Sequence, residues 1–204
     1  IISADQVGRF PDANVGDALK RVPGITVQND QGEARFGLIR GTAARLNSVT
    51  INGNRIPSAE AENREVQLDL VSADMVQSIE VSKALTPDMD ADAIGGSINL
   101  VTRSAPSERR VSVTAGSGYN ALSEEPILNG ALIYGERLFD DKLGFVFSGS
   151  YNNHKLGSDN IEAEWAFDDN NSAFMEDFQI RQYEVQRVRS SISLDLDYKF
   201  DENN

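Results

Sequence analysis

Residues Gln186–Phe200 read QRVRSSISLDLDYKF. Val188, Ile192, Leu194, Leu196, Tyr198 and Phe200 fall on one side of an extended chain. Arg187, Arg189, Ser191, Ser193, Asp195, Asp197 and Lys199 fall on the other. A strand turns alternate side chains to opposite faces, so this pattern gives one greasy face and one charged face. The run is longer than the 5–6 residues usual in a soluble sandwich, and its polar face carries charge as a water-filled lumen would. Leu143–Asn152 (LGFVFSGSYN) repeats the alternation, with Leu143, Phe145, Phe147 and Tyr151 against Ser148, Ser150 and Asn152. Arg109–Gly118 (RRVSVTAGSG) does so too, and Ile127–Leu138 (ILNGALIYGERL) does so less cleanly.

The connections fit the same reading. Phe139–Lys142 (FDDK) is a tight turn, and DENN at the C-terminal end would be the next. Residues 154–180 are expected to form a long loop, with seven acidic residues, one lysine, and Trp165, Phe167, Phe174 and Phe178 packing it. Short turns on one side and long loops on the other belong to outer-membrane barrels. Phe139, Tyr198 and Phe200 near the short turns suit an aromatic girdle. A closed barrel needs at least eight strands. About four are expected in residues 105–204, which makes this stretch the N-terminal part of a larger, here truncated, barrel.

The first half has a different rhythm. In Phe10–Val27 (FPDANVGDALKRVPGITV), Asp12 or Asn14 can cap a short helix whose apolar stripe is Val15, Leu19 and Val22. Pro23-Gly24 ends it, and a strand starts at Ile25. Ala34–Pro57 gives strand, loop, strand and an Asn52-Gly53 turn. A second short helix is expected near Ser72, then a strand over Ser78–Lys83, with Val76 and Ile79 packing inward. The strand Gly96–Arg103 (GSINLVTR) closes this small α+β unit, and the polar run around Pro106 sets a boundary near residue 105.

Composition narrows the function. The formal net charge is -13, so no nucleic-acid partner is expected, because phosphate binding needs a basic face. The chain has no cysteine and a single histidine, His154, which leaves no thiolate metal site and no histidine-based catalytic pair. Asp88, Asp90 and Asp92 imitate the start of a calcium loop. Ala93 stands where such a loop needs glycine, and Asn99 where it needs a bidentate glutamate. No metal, cofactor or catalytic residue is therefore expected, and the protein reads as no enzyme. The competing classes are a soluble β-rich carbohydrate-binding or adhesion module and a metal hydrolase built on those three aspartates.

Four features in order resemble TonB-dependent outer-membrane receptors: Asp17–Val27 (DALKRVPGITV), Leu38–Ile56 (LIRGTAARLNSVTINGNRI), Val76–Arg103 (VQSIEVSKALTPDMDADAIGGSINLVTR) and the alternating strands after them. The resemblance implies an α+β plug domain over 1–104, followed by antiparallel strands of a transmembrane β-barrel over 105–204. It implies energised uptake of a scarce solute, such as a siderophore or an oligosaccharide, across the bacterial outer membrane. The partners implied are outer-membrane lipid, the small-molecule ligand, and TonB acting on a segment upstream of residue 1. Gly95 and Gly96 would form the bend into the last plug strand, where glycine tolerates angles and close approach that other residues do not. Arg40 and Lys83 stand where similar receptors place basic plug residues against barrel glutamates. Ligand contact would come from two outward plug loops, one offering Asn29, Asp30 and Gln31, the other Arg55, Glu60, Glu62, Asn63 and Arg64.

Overall fold

The computed structural model describes residues 2–3, 12, 14–87, 89, 91 and 93–200. The plug begins with β1 (Ile2–Ser3) and α1 (Val15–Leu19). Asn14 caps α1, its Oδ1 accepting from the Asp17 backbone N–H at 3.0 Å. Gly24, at φ 76°, turns the chain into β2 (Ile25–Asp30), which pairs with β3 (Glu33–Ile39). Then come β4 (Asn47–Ile51), β5 (Asn54–Arg55), β6 (Val76–Ser82) and β7 (Gly96–Thr102). These join β1 in a five-stranded sheet of order β1-β6-β7-β4-β5, with β4 and β7 parallel.

Val15 and Leu19 of α1, Ile39 of β3, Leu68, Ile79 of β6 and Ile98 and Leu100 of β7 are fully buried together. Each such side chain contributes roughly 1.5–3 kcal/mol on leaving water. Gly16 lets α1 sit close on β3, since a Cβ there would meet the Ala34 carbonyl oxygen at 2.6 Å. Val76 and Ile79 point inward as the sequence predicts. The second helix does not form. Ser72 caps only a 3-10 turn, Ala73–Met75, and the β-branched Val76 immediately after it already starts β6.

Residues after the plug form a four-stranded meander, β8 (Arg110–Asn120), β9 (Glu125–Leu138), β10 (Leu143–Phe167) and β11 (Ala173–Tyr198). Cross-strand register aligns Val111, Tyr134, Phe147 and Leu194 in one row, and Ser112, Ile133, Ser148 and Ser193 in the next. The first row belongs to the outer face, where Val111 is 58% and Leu194 61% exposed. Ile192 and Leu196 lie exposed on that face too. The second row belongs to the inner face, where Val146, Ser148, Asn152 and His154 are buried under the plug. Ser148 pairs with Ser193, and Ser150 with Ser191, each at 2.8 Å between hydroxyls. β9 alternates less cleanly because part of its inner face is dry. Pro106 of the linker packs against it so closely that a Cβ on Gly135 would meet the proline ring at 2.7 Å.

β9 accompanies β10 only over Leu143–His154, long enough to cross a bilayer core on a tilted strand. Above His154 the β10–β11 hairpin continues alone to a turn at 168–172. This corrects the expectation of a long loop over 154–180. Asp168 Oδ1 accepts from the Asn170 and Ser172 backbone at 2.9 and 2.8 Å, so the reversal needs few residues. Charges on both faces and a bulge at Glu164/Trp165 hide the strand period there. Nor do Trp165, Phe167, Phe174 and Phe178 pack a loop; all four are exposed on the hairpin. The expected DENN turn lies outside the described residues. At the opposite end Phe139–Lys142 is the tight turn the sequence predicts, and Tyr198 and Phe200 meet edge to face at 5.1 Å.

Gly95 and Gly96 sit at the most crowded bend of the plug. A Cβ on Gly95 would lie 2.1 Å from Asn47 Oδ1 and 2.2 Å from Thr42 Oγ1. Gly96 has φ 142°, and its Cβ would lie 2.5 Å from the Ser82 carbonyl oxygen. Backbone cannot yield as a flexible side chain can. Gly96→Ala is expected to destabilise the plug by about 1–3 kcal/mol. Urea unfolding of the full-length protein, followed by hydrogen exchange in β7, checks this; unchanged protection of β7 would contradict it.

Candidate functional site

The β2–β3 turn carries the plug to the barrel wall. Asp30 pairs with Glu33 across a two-residue loop in which Gln31 has φ 49° and Gly32 φ 88°. Positive φ at both positions is the hairpin geometry that matches strand twist, and Gly is at home there while Gln is not. Gln31 gains in exchange a place against β11, its Oε1 accepting from Arg187 Nη2 at 3.4 Å.

Glu33 is 2% exposed and stands at the centre of a charge cluster. Arg187 Nη1 donates to Glu33 Oε2 at 2.6 Å, and Arg189 Nη1 to Oε1 at 3.1 Å, with Arg189 Nη2 also bonded to Oε2. Arg189 grips the carboxylate with two N–H groups and Arg187 with one, which satisfies most of its lone pairs. His154 of β10 places Nδ1 3.5 Å from Glu33 Oε1 and Nε2 2.5 Å from Asn129 Oδ1. Burial pushes the Glu33 carboxyl up, but the hydrogen bonds from His154, Arg189 and Arg187 outweigh it and hold it at about 2. Asp69 is the fourth side. Arg187 Nη1 lies 3.3 Å from its Oδ2, while Oδ1 is buried with no hydrogen-bond partner among the described residues. Burial therefore dominates and raises the Asp69 carboxyl, against the pull of Arg187 and Arg35. Lower down, Ser150 and Asn152 reach Ser72, and Asp195 accepts from Thr102 at 3.1 Å.

Above the cluster a cavity of about 250 Å³ opens between plug and hairpin. Asn29, Asp30, Gln31 and Gly32 form its plug wall; Ser158, Asp159, Asn160, Glu162 and Tyr183 form its barrel wall. The first predicted loop thus faces β10 and β11. Arg35 ties it to the second loop, its Nη1 donating to Asp30 at 2.6 Å and its Nη2 to Glu60. Asn63 in turn donates to Glu60, and Glu62 and Arg64 are exposed beside them. Arg55 lies on β5, opposite Thr50 and next to the Asn52-Gly53 turn. Arg40 and Lys83 meet plug backbone within this chain: Arg40 donates to the Lys83 carbonyl, and Lys83 to the Pro23 carbonyl. Asp88, Asp90 and Asp92 lie outside the described residues.

Residues 1–97 match the TonB-dependent Receptor Plug Domain family. The chain carries the plug of a TonB-dependent receptor. The vitamin B12 transporter BtuB of Photobacterium profundum is 32% identical over 120 residues, covering 58% of this chain and 20% of that protein. The siderophore receptor PirA of Pseudomonas aeruginosa shares the fold at TM-score 0.56 and 18% identity, over 78% of this chain and 31% of PirA. The unliganded ferric citrate transporter FecA does so at TM-score 0.58 and 19% identity, over 78% of this chain and 28% of FecA. This receptor chain thus spans less than a third of the length of these relatives. Its place is the outer membrane, and its family consists of transport receptors, not enzymes.

The charge cluster is not legible in the sequence. Arg187 and Arg189 are visible there on the lumen face, and two buried-side arginines two residues apart demand an anion. Nothing local names Glu33 as that anion.

Glu33→Gln is expected to weaken docking of the receptor's plug by about 3–5 kcal/mol, because it strands two arginines. Asp69→Asn should cost far less, since burial already disfavours the Asp69 charge and Arg187 keeps Glu33 as its partner. The pH dependence has opposite signs. Glu33, lowered from 4.5 to about 2, adds stability that is complete above pH 4.5 and fades as pH falls toward 2. Asp69, raised, gains stability as pH falls. Urea titration of plug release in the full-length receptor, run at pH 7 and in steps down to 3, checks both; a Glu33→Gln variant as acid-sensitive as its parent would contradict the assignment.

Proposed function

We propose that this receptor takes up a scarce solute, of the siderophore, carbohydrate or similar class, across the outer membrane with energy delivered through TonB. The observation that carries the reading is a shared turn: Asn29–Gln31 line the outward cavity, and Glu33, two residues on from Gln31, holds the plug to β10 and β11. The ligand seats against Asn29, Asp30 and Gln31, with Glu60, Glu62, Asn63, Arg64 and Arg55 of the second loop as further contacts. Bound solute draws on Gln31, whose side chain also meets Arg187, and so biases the plug toward the state that TonB engages through a segment upstream of residue 1. Arg40 and Lys83 keep the plug loops in shape by bonding backbone, and their place against barrel glutamates remains part of this proposal. The exposed apolar outer face of β11 supports a lipid-facing wall over a soluble carbohydrate-binding or adhesion module.

The test is uptake by the full-length receptor in cells with and without TonB. Uptake is expected to vanish without TonB, and Gln31→Ala is expected to lower it several-fold at subsaturating solute. Uptake that continues at the same rate without TonB would refute the reading.

A further inference from the structure

The outward cavity has a chemical bias that bears on the class of solute. Its hydrogen-bonding amides are Asn29, Gln31 and Asn160, and Ser158 and Tyr183 add hydroxyls. The carboxylates that face it are Asp30 and Glu162; Asp159 borders it from a strand position whose side chain falls on the opposite, outer face. Among the described residues no lysine or arginine lines it.

The cations nearest that lining are already engaged. Arg35 is bonded to Asp30 and Glu60. Arg181 lies 2.6 Å from Glu162 Oε2, donates to Gln179, and donates to the Tyr183 hydroxyl at 3.1 Å. Arg187, which reaches Gln31, is held by Glu33 and Asp69, and none of the three can turn to a bound anion without abandoning a carboxylate. Above the cavity the approach is acidic as well. Glu164 and Asp177 face each other across the hairpin, and Asp168 and Asp169 stand at its tip. The field of such an approach concentrates cations and depletes anions before any contact is made.

We propose that this cavity is a charge filter: it admits neutral or cationic solutes rich in hydrogen-bonding groups and turns away polyanions, including iron chelates of the citrate or tris-catecholate kind. The proposal rests on the cavity being the entry site of the function above. It narrows the solute to carriers that present hydroxyls, amides or a positive charge. Asp30 and Glu162 supply acceptors, the amides supply donors, and the Tyr183 ring supplies an apolar platform.

The test reads the field without knowing the solute. A nitroxide can be attached after Gln31→Cys or, across the cavity, Ser158→Cys in a full-length receptor otherwise free of reactive cysteine; these 204 residues hold none. Collision rates are measured with neutral nickel–ethylenediaminediacetate and with the chromium oxalate trianion. A label on the exposed 168–172 turn is unsuitable as reference because of its own carboxylates, so free nitroxide in buffer serves. At both sites the anion-to-neutral ratio is expected to fall at least about three-fold below the reference, and to recover in 1 M salt, where the screening length shrinks to about 3 Å. Glu164→Gln combined with Asp177→Asn should raise the ratio as well. A ratio equal to the reference at both labels would overturn the filter, whatever TonB-dependent uptake shows. Uptake that ignores TonB while the ratio stays low would instead sink the proposed function and leave the filter standing.

Discussion

The structure depends on one constraint, the two-residue period of β8–β11. Each strand must satisfy lipid on one face and the plug on the other. A register slip of one residue would turn Ile192 and Leu194 toward the plug and Arg189 and Ser191 toward hydrocarbon. Charged groups at the bilayer centre cost several kcal/mol each. The alternation is therefore enforced from both sides, and the serine pairs Ser148–Ser193 and Ser150–Ser191 repeat it on the inner face.

Given that wall, the plug needs a way to hold on without becoming permanent. A continuous apolar interface would bind too indifferently to release on cue. The interface is instead polar, with Ser72 against Ser150 and Asn152, Thr102 against Asp195, and Glu33 against Arg187 and Arg189. Buried charge pairs are strong only while every partner stays in place. Glu33 and Asp69 share Arg187 unequally, one carboxyl held low and the other pushed up by burial. Such a junction is firm yet sensitive to small displacements of the β2–β3 turn.

The sequence disclosed what periodicity and turn chemistry encode. The strand alternation, the Asn14-capped helix and the Phe139–Lys142 turn all follow from short-range rules. The upper half of the hairpin did not, because outside lipid both of its faces are wet and the period loses its hydrophobic contrast. The helix near Ser72 failed because a cap says where a turn starts and nothing about how long it runs. The apical loops were legible as polar loops, but Arg35, which joins Asp30 to Glu60, and Tyr183, which faces the plug loop, were not. Long-range pairing of a buried carboxylate with arginines more than a hundred residues away leaves no local trace in a single sequence.

The central claim is that one face of β11 meets lipid while the other meets the plug. Single tryptophans placed in turn at Ser191, Ile192, Ser193 and Leu194 of the full-length receptor, reconstituted in bilayers with brominated acyl chains, test it most directly. The account gives strong added quenching at Ile192 and Leu194 and almost none at Ser191 and Ser193. Equal quenching at all four positions, or the reverse order, would contradict it.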